Sequence, residues 1–243
     1  WYTIAVRSDQ GEEALSQTCF FETGKLDDPW KGQWLGVEDG DTHPEFQKTF
    51  SLPEKPRSAR LYICGLGLFE AYLNGEKAGN DLLAPFLNDY TEHFQYCTYD
   101  VTSLLAEDNT LSVLLGDGWY RGHFGLGEPT HYERPLALIA ELRMEFADGH
   151  TETLCSDSGW QYRSSFTTLS DIYNGETQDY TKAPGDWKQP VLIPAPGRLC
   201  DRYSSPLHYM ESIPVKEVIH TPAGETVLDF GQNFAGHVVC TQP

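Results

Sequence analysis

The chain has 243 residues and a formal net charge of −19. That balance excludes nucleic acid and anionic membranes as partners, because phosphate contacts need clustered Lys and Arg, and none are clustered here. Hydrophobic residues make up 40% and aromatics 13%, with 22 Gly and 15 Pro, which suits a packed core built from many short strands and turns. No run approaches the about 20 apolar residues of a membrane helix, and no secretory signal opens the chain.

In chain order, WYTIAVR (1–7) and TCFFE (18–22) read as two apolar strands around a polar loop. A lone hairpin of this kind cannot bury itself. Residues 1–25 are therefore expected to be the last strands of a preceding β domain. Residues 26–196 read as one domain. FQKTFSL (46–52) alternates and stops at Pro53. ARLYICGLG (59–67) is a strand ending in glycines. In FEAYLNGEKAG (69–79), Phe69, Ala71 and Leu73 share one face and Glu70 and Tyr72 the other. Asn74-Gly75 then predicts a two-residue hairpin turn, because both residues tolerate positive φ.

QYCTYDV (95–101) is a further strand, and TSLLAEDN a short helical turn with Thr102 as N-cap. TLSVLLG (110–116) and PLALIAELRMEF (135–146) are strands, the second ending at the turn Asp148-Gly149. WQYRSS and residues 171–180 close the domain. Residues 187–210 are Pro-rich and read as a linker or covering loop. Strand grammar restarts over 211–243, so 197–243 is expected to hold a linker and the start of a following β-sandwich. Strands about every ten residues, without a long 3.6-residue period, predict an all-β antiparallel sandwich.

The six cysteines are Cys19, Cys64, Cys97, Cys155, Cys200 and Cys240. None form a CxxC or zinc-spaced pair. Their apolar neighbours predict buried free thiols and a reducing, cytoplasmic compartment, with secretion as the alternative because the chain opens mid-strand without Met, as an excised fragment would.

WKGQWLG, LFEAYLNG, YDVTSLL, LGDGWYRG, SDIYNGETQDY and LDFGQNFAG follow one another in this order. Together they resemble bacterial α-L-rhamnosidases of glycoside hydrolase family 78, over nearly the whole chain. The resemblance implies a fibronectin-like end at 1–25, a jelly-roll, galactose-binding-like accessory sandwich at 26–196, and a further sandwich begun after 197. It also implies a downstream catalytic (α/α)6 barrel, whose acidic residues remove terminal L-rhamnose from glycosides with inversion. No helical barrel pattern occurs in this chain, which is expected to be inactive alone. A free-standing carbohydrate-binding module is the alternative. The family usually continues Tyr-Asp-Ala-Arg after Gly-Glu. Here the chain reads Gln178-Asp179-Tyr180-Thr181, so a role resting on that basic residue is lost.

GDGWYRG (116–122) supplies the carbohydrate-binding candidates Asp117, Trp119, Tyr120 and Arg121. An aromatic face stacks on a sugar while a carboxylate and guanidinium fix hydroxyls. The competing reading is a Gly-Asp-Gly turn with Trp119 plugging the sandwich end. Glu70 and Asn74 are candidate ligands of a hard cation such as Ca²⁺, against plain turn formation by Asn74. If Asn74 and Gly118 lie at one end of the sandwich, all these groups form a shallow rhamnose pocket. Glu176 and Asp179 lie three apart in an irregular stretch, and a catalytic role for them is disfavoured. Asp229, Gln232 and Asn233 read as a hydrogen-bonded turn.

Overall fold

The computed structural model describes residues 1–38, 43–125, 127 and 135–239; Cys240 lies outside them. The chain divides into two units, 1–207 and 208–243.

The first unit opens with a hairpin of β1 (Ala5–Arg7) and β2 (Glu13–Leu15). The second strand thus falls inside the stretch expected to be a loop. TCFFE contributes only the Tyr2–Cys19 bridge. The chain turns at Ser8–Glu12 instead, where Gly11 takes φ +85°. The Trp1 and Phe20 rings meet at a tilt with centroids 5.0 Å apart, and both are exposed.

Next come β3 (Trp34–Gly36), β4 (Pro44–Ser51), β5 (Ser58–Leu66), β6 (Leu68–Leu73), β7 (Glu76–Lys77), β8 (His93–Asp100) and β9 (Asp108–Gly116). A four-residue helical turn, α1 (Gly118–Arg121), precedes β10 (Ala137–Glu145), β11 (Thr151–Cys155) and β12 (Gln161–Ser164). A second hairpin, β13 (Thr167–Asp171) and β14 (Gly175–Gln178), is followed by β15 (Val191–Ile193) and β16 (Arg198–Asp201). One sheet runs β15-β3-β10-β5-β8-β16 with β11 beside β10, and the other runs β12-β4-β9-β6-β7. Residues 187–210 were expected to be irregular, yet they supply β15 and β16 to the larger sheet. β16 pairs with β8 in parallel and every other ladder is antiparallel.

Side chains from both sheets meet in one core. Leu61 and Ile63 of β5, Leu138 and Leu142 of β10, Phe69 and Leu73 of β6 and Val113 and Leu115 of β9 are all buried. Each such side chain contributes about 1.5–3 kcal/mol by leaving water. The expected alternation of β6 holds: Phe69, Ala71 and Leu73 face in, while Glu70 is exposed. Asn74 and Gly75 form the two-residue turn with φ +56° and +84°, and Leu73 pairs with Glu76 across it. The short helical turn is a 3₁₀ turn, Thr102–Leu104, but Val101 occupies its N-cap. Asp100 Oδ1 accepts from the Thr102 amide at 3.0 Å and from its hydroxyl at 2.6 Å. A carboxylate therefore does the work expected of the Thr102 hydroxyl.

The outer face of the larger sheet is covered as well. Residues 25–32 cross it. The Lys25 ammonium reaches Glu141 Oε2 at 2.7 Å and lies 4.7 Å from the Trp30 ring centre. The other Glu141 oxygen accepts from the amides of Lys31 and Gly32. β10 is consequently buried on both faces. Cys64 and Cys97 are buried, Cys155 and Cys200 partly so, and Cys19 is exposed; all five are free thiols. The expectation of burial thus fails at Cys19. Burial pushes the Cys97 thiol up to about 11.

The second unit contains the hairpin β17 (Glu217–His220) and β18 (Thr226–Asp229). Its turn is closed by the Thr221 amide donating to Glu225 O at 3.0 Å, and a further turn follows β18, where Asp229 Oδ1 accepts from the Gly231 amide at 2.7 Å. No helix among the described residues is long and apolar enough to cross a membrane.

Candidate functional site

α1 follows directly from β9. Gly116 has no space for a side chain, since a Cβ there would lie 2.4 Å from Ser170 Oγ. Gly118 takes φ +51°, and a Cβ on it would lie 2.5 Å from Leu68 Cγ. The two glycines let the strand turn sharply against β6 and β13, which fixes where Asp117 and Arg121 emerge.

Asp117 Oδ2 lies 3.2 Å from His43 Nε2, and His43 is buried. Asp117 Oδ1 accepts no hydrogen bond and lies 3.8 Å from Arg121 Nε. The Asp117 and Arg121 side chains are 20% and 30% exposed, but the Asp117 Oδ1 atom itself is buried. Trp119 is half-buried and meets Phe86 edge-on with centroids 5.4 Å apart. Tyr120 is 1% exposed, and its ring lies 5.0 Å from that of Tyr90. The four candidates of GDGWYRG therefore split. Arg121 presents polar atoms, Asp117 backs it with a buried oxygen, Trp119 is partly exposed beside Phe86, and Tyr120 anchors the turn from within.

The β13–β14 hairpin closes one side of this end. Asp171 Oδ2 accepts from the His123 amide at 2.7 Å and lies 2.9 Å from His123 Nδ1. Its Oδ1 accepts from the amides of Tyr173 and Asn174, each at 2.8 Å. Burial alone would raise this carboxyl, but the donors outweigh it and hold Asp171 far below the usual carboxylate range. Gly122 shares the arrangement: a Cβ there would lie 2.6 Å from Asp171 Oδ2. Tyr173 and Phe124 are exposed beside this cluster. His43, His123, Asp171 and Asn174 were not singled out from sequence. The Asp171-x-x-Asn174 spacing before a glycine was the available signal, since such spacing favours a side-chain-closed turn.

Glu70 and Asn74 sit elsewhere. Leu68 pairs with Gly116 and Leu73 with Leu111, so the Asn74-Gly75 turn is at the end of β6 opposite Gly118. At about 3.3 Å per residue the two ends are separated by roughly 17 Å. The single pocket conditional on their meeting does not form. Glu70 is taken by Lys77 and Tyr72, each at 2.5 Å. Burial would raise its carboxyl, but those donors outweigh it and hold it below the usual range. The Asn74 side chain donates to Leu104 O at 2.9 Å and Asn109 Oδ1 at 3.0 Å, and accepts from the Thr110 amide at 2.8 Å. Ca²⁺ at this pair would have to displace Lys77 and break the turn. Among the described residues no group of three or more His, Cys, Asp or Glu is placed to hold a metal.

Glu176 and Asp179 are both engaged by neighbours in the chain. Glu176 is exposed on β14 and binds the Gln178 amide at 2.6 Å. Asp179 is engaged by the Thr181 hydroxyl at 2.5 Å and Lys182 at 3.2 Å.

The fold is an all-β sandwich with this cluster of polar and aromatic side chains at one end. Residues 54–211 match the family described as alpha-L-rhamnosidase N-terminal domain, and the chain belongs to that family. An alpha-L-rhamnosidase of Streptomyces avermitilis is 37% identical over 208 residues, covering 80% of this chain and 20% of the relative. One from an Alteromonas species is 29% identical over 91% of this chain and 27% of its own. Among solved structures, the alpha-L-rhamnosidase of Dictyoglomus thermophilum superposes with a TM-score of 0.78 at 28% identity, over 96% of this chain and 29% of that one. The Streptomyces avermitilis alpha-L-rhamnosidase complexed with L-rhamnose gives 0.70 at 28% identity, over 94% and 26%. The chain thus spans about a fifth to three tenths of the length of these relatives.

Proposed function

We propose that this chain is a noncatalytic accessory region of an α-L-rhamnosidase, and that the end of its sandwich at α1 holds a terminal L-rhamnosyl residue. The enzyme would remove terminal L-rhamnose from glycosides through a catalytic domain elsewhere in the parent chain. The observation that carries the binding reading is the Asp117–Arg121 pair. It places a partly exposed guanidinium beside a carboxylate whose Oδ1 is buried and accepts no hydrogen bond. A sugar hydroxyl accepts from Arg121, while Asp117 sits behind the guanidinium and positions it. The bond from Arg121 would be charge-assisted. The partly exposed Trp119 ring would offer an apolar contact to the sugar's methyl and ring C–H groups. Tyr120 supports the site from the core.

The noncatalytic part is supported by the state of the carboxylates. Glu176 is hydrogen-bonded to the Gln178 side chain, and Asp179 is held by Thr181 and Lys182, which does not suit a pair of carboxyls flanking a glycosidic bond. A shallow site of this kind binds weakly, on the order of −4 kcal/mol, which corresponds to a Kd near 1 mM.

Isothermal titration with L-rhamnose, with and without chelator, tests the reading. Millimolar binding that Asp117→Asn or Arg121→Ala weakens in a folded variant is expected. Binding that both variants leave unchanged would overturn it. Loss of binding on chelation would assign Ca²⁺ a part that Glu70 and Asn74, as placed, do not supply.

A further inference from the structure

The chain holds two Asn-Gly dipeptides in nearly the same sequence: Leu73-Asn74-Gly75-Glu76 and Tyr173-Asn174-Gly175-Glu176. Both lie at exposed hairpin turns. Their asparagine side chains are held very differently. The Asn74 side chain makes three hydrogen bonds, to Leu104, Asn109 and Thr110. Among the described residues the Asn174 side chain makes one contact, Nδ2 to His123 Nδ1 at 3.0 Å. That same ring nitrogen lies 2.9 Å from Asp171 Oδ2. A ring nitrogen cannot donate to a carboxylate and accept from an amide at once. The ionised Asp171 takes the proton, so the Asn174 amide is left without a sound bond. Gly175 and Gly75 are alike, at φ +81° and +84° with nothing within 4 Å of a built Cβ, so the difference between the two sites lies in how each asparagine side chain is held.

We propose that Asn174 is a site of spontaneous deamidation and that Asn74 is a protected twin. The Gly175 backbone nitrogen attacks Asn174 Cγ. A nitrogen–Cγ bond forms, the Cγ–Nδ2 bond breaks, and the side-chain nitrogen leaves as ammonia with the proton of the Gly175 amide. Water then opens the succinimide at one of its two carbonyls, giving aspartate or isoaspartate. No oxidant or reductant takes part. At Asn74 the same attack must first break three hydrogen bonds that fix Cγ away from the following nitrogen, which slows it about tenfold or more. The product at 174 sets a new carboxylate against His123 and Asp171. In its isoaspartate form it also lengthens the backbone at the tip of the β13–β14 hairpin.

The test is peptide mapping by mass spectrometry after incubating the full chain in mildly alkaline buffer, beside the same chain in denaturant. In the folded chain Asn174 is expected to convert about tenfold or more ahead of Asn74. In denaturant the two should convert at similar rates, because their neighbours match. Conversion of Asn74 as fast as Asn174 in the folded chain would overturn the proposal, as would an unconverted Asn174 once the denatured chain has reacted. Asn109→Ala removes one anchor of Asn74 and should speed that position alone, with Asn174 as the internal clock. An unchanged rate at Asn74 in this variant would contradict the anchoring argument. If the variant unfolds, both positions move together to the denatured rate, and the wild-type comparison decides.

Discussion

Lys25 and Glu141, separated by 116 residues in sequence, form an ion pair of 2.7 Å with side chains 2% and 0% exposed. The pair ties the segment entering the sandwich to the outward face of β10. Glu141 is further fixed by two backbone amides and by Arg143 at 3.1 Å. Removing Lys25 leaves a fully buried carboxylate with Arg143 as its remaining cation, and removing Glu141 leaves the buried Lys25 ammonium without its carboxylate. Lys25→Met is therefore expected to cost about 3–5 kcal/mol, whereas Lys25→Met with Glu141→Leu should recover much of that loss. Urea denaturation checks both. A single variant with an unchanged midpoint would contradict the arrangement.

Asp171 predicts an acid dependence. Its folded-state carboxyl is held well below the ordinary value of 3.8 by the donors from His123, Asn174 and Tyr173. A depressed folded value means that the stabilisation is present above the unfolded carboxylate range and is lost as pH falls through the folded value. Between about pH 5 and about pH 2 the wild type should lose more stability than Asp171→Asn, which has no such proton to gain. Parallel curves of denaturation midpoint against pH would refute this.

Much of the sandwich was legible because short strands carry period-two burial. The face split of β6 and the Asn74-Gly75 turn follow from residue chemistry alone. Three things were not legible, each for a long-range reason. Glu141 sits in an alternating strand and reads as solvent-facing; only the crossing of residues 25–32, far away in sequence, buries it. β15 and β16 lie in a Pro-rich stretch with weak patterning, and they are strands because open edges of the larger sheet accept them. At the candidate site the GDGWYRG residues were found but not their division of labour. Local spacing cannot show that Tyr120 meets Tyr90 or that Asp117 meets His43. Nor does the sequence reveal which end of a strand a turn occupies relative to another, so Glu70 and Asn74 were grouped with residues at the far end.

Asn74 should be costly to replace by Ala. The variant loses three side-chain hydrogen bonds and keeps a positive φ that alanine tolerates poorly, so a loss of about 2–3 kcal/mol is expected. Asn74→Gly relieves the backbone part and should cost less. Thermal denaturation of the two variants, ranked against wild type, checks the order. Equal melting temperatures for Ala and Gly would remove the backbone part of the argument.

The described cysteines are free thiols, so folding is expected to be independent of oxidation. Melting curves with and without reductant should coincide. A fall of several degrees on reduction would contradict this, together with the proposal of a reducing compartment.

Ligand-observed NMR of an aryl L-rhamnoside with the purified chain, followed over hours, reads binding and turnover in one sample. Saturation transfer to the rhamnosyl protons is predicted, weakened by Arg121→Ala, with the glycoside itself unchanged throughout. Release of free L-rhamnose that Glu176→Gln abolishes would contradict the noncatalytic reading. Absence of transfer at high millimolar glycoside would contradict carbohydrate binding at the α1 end.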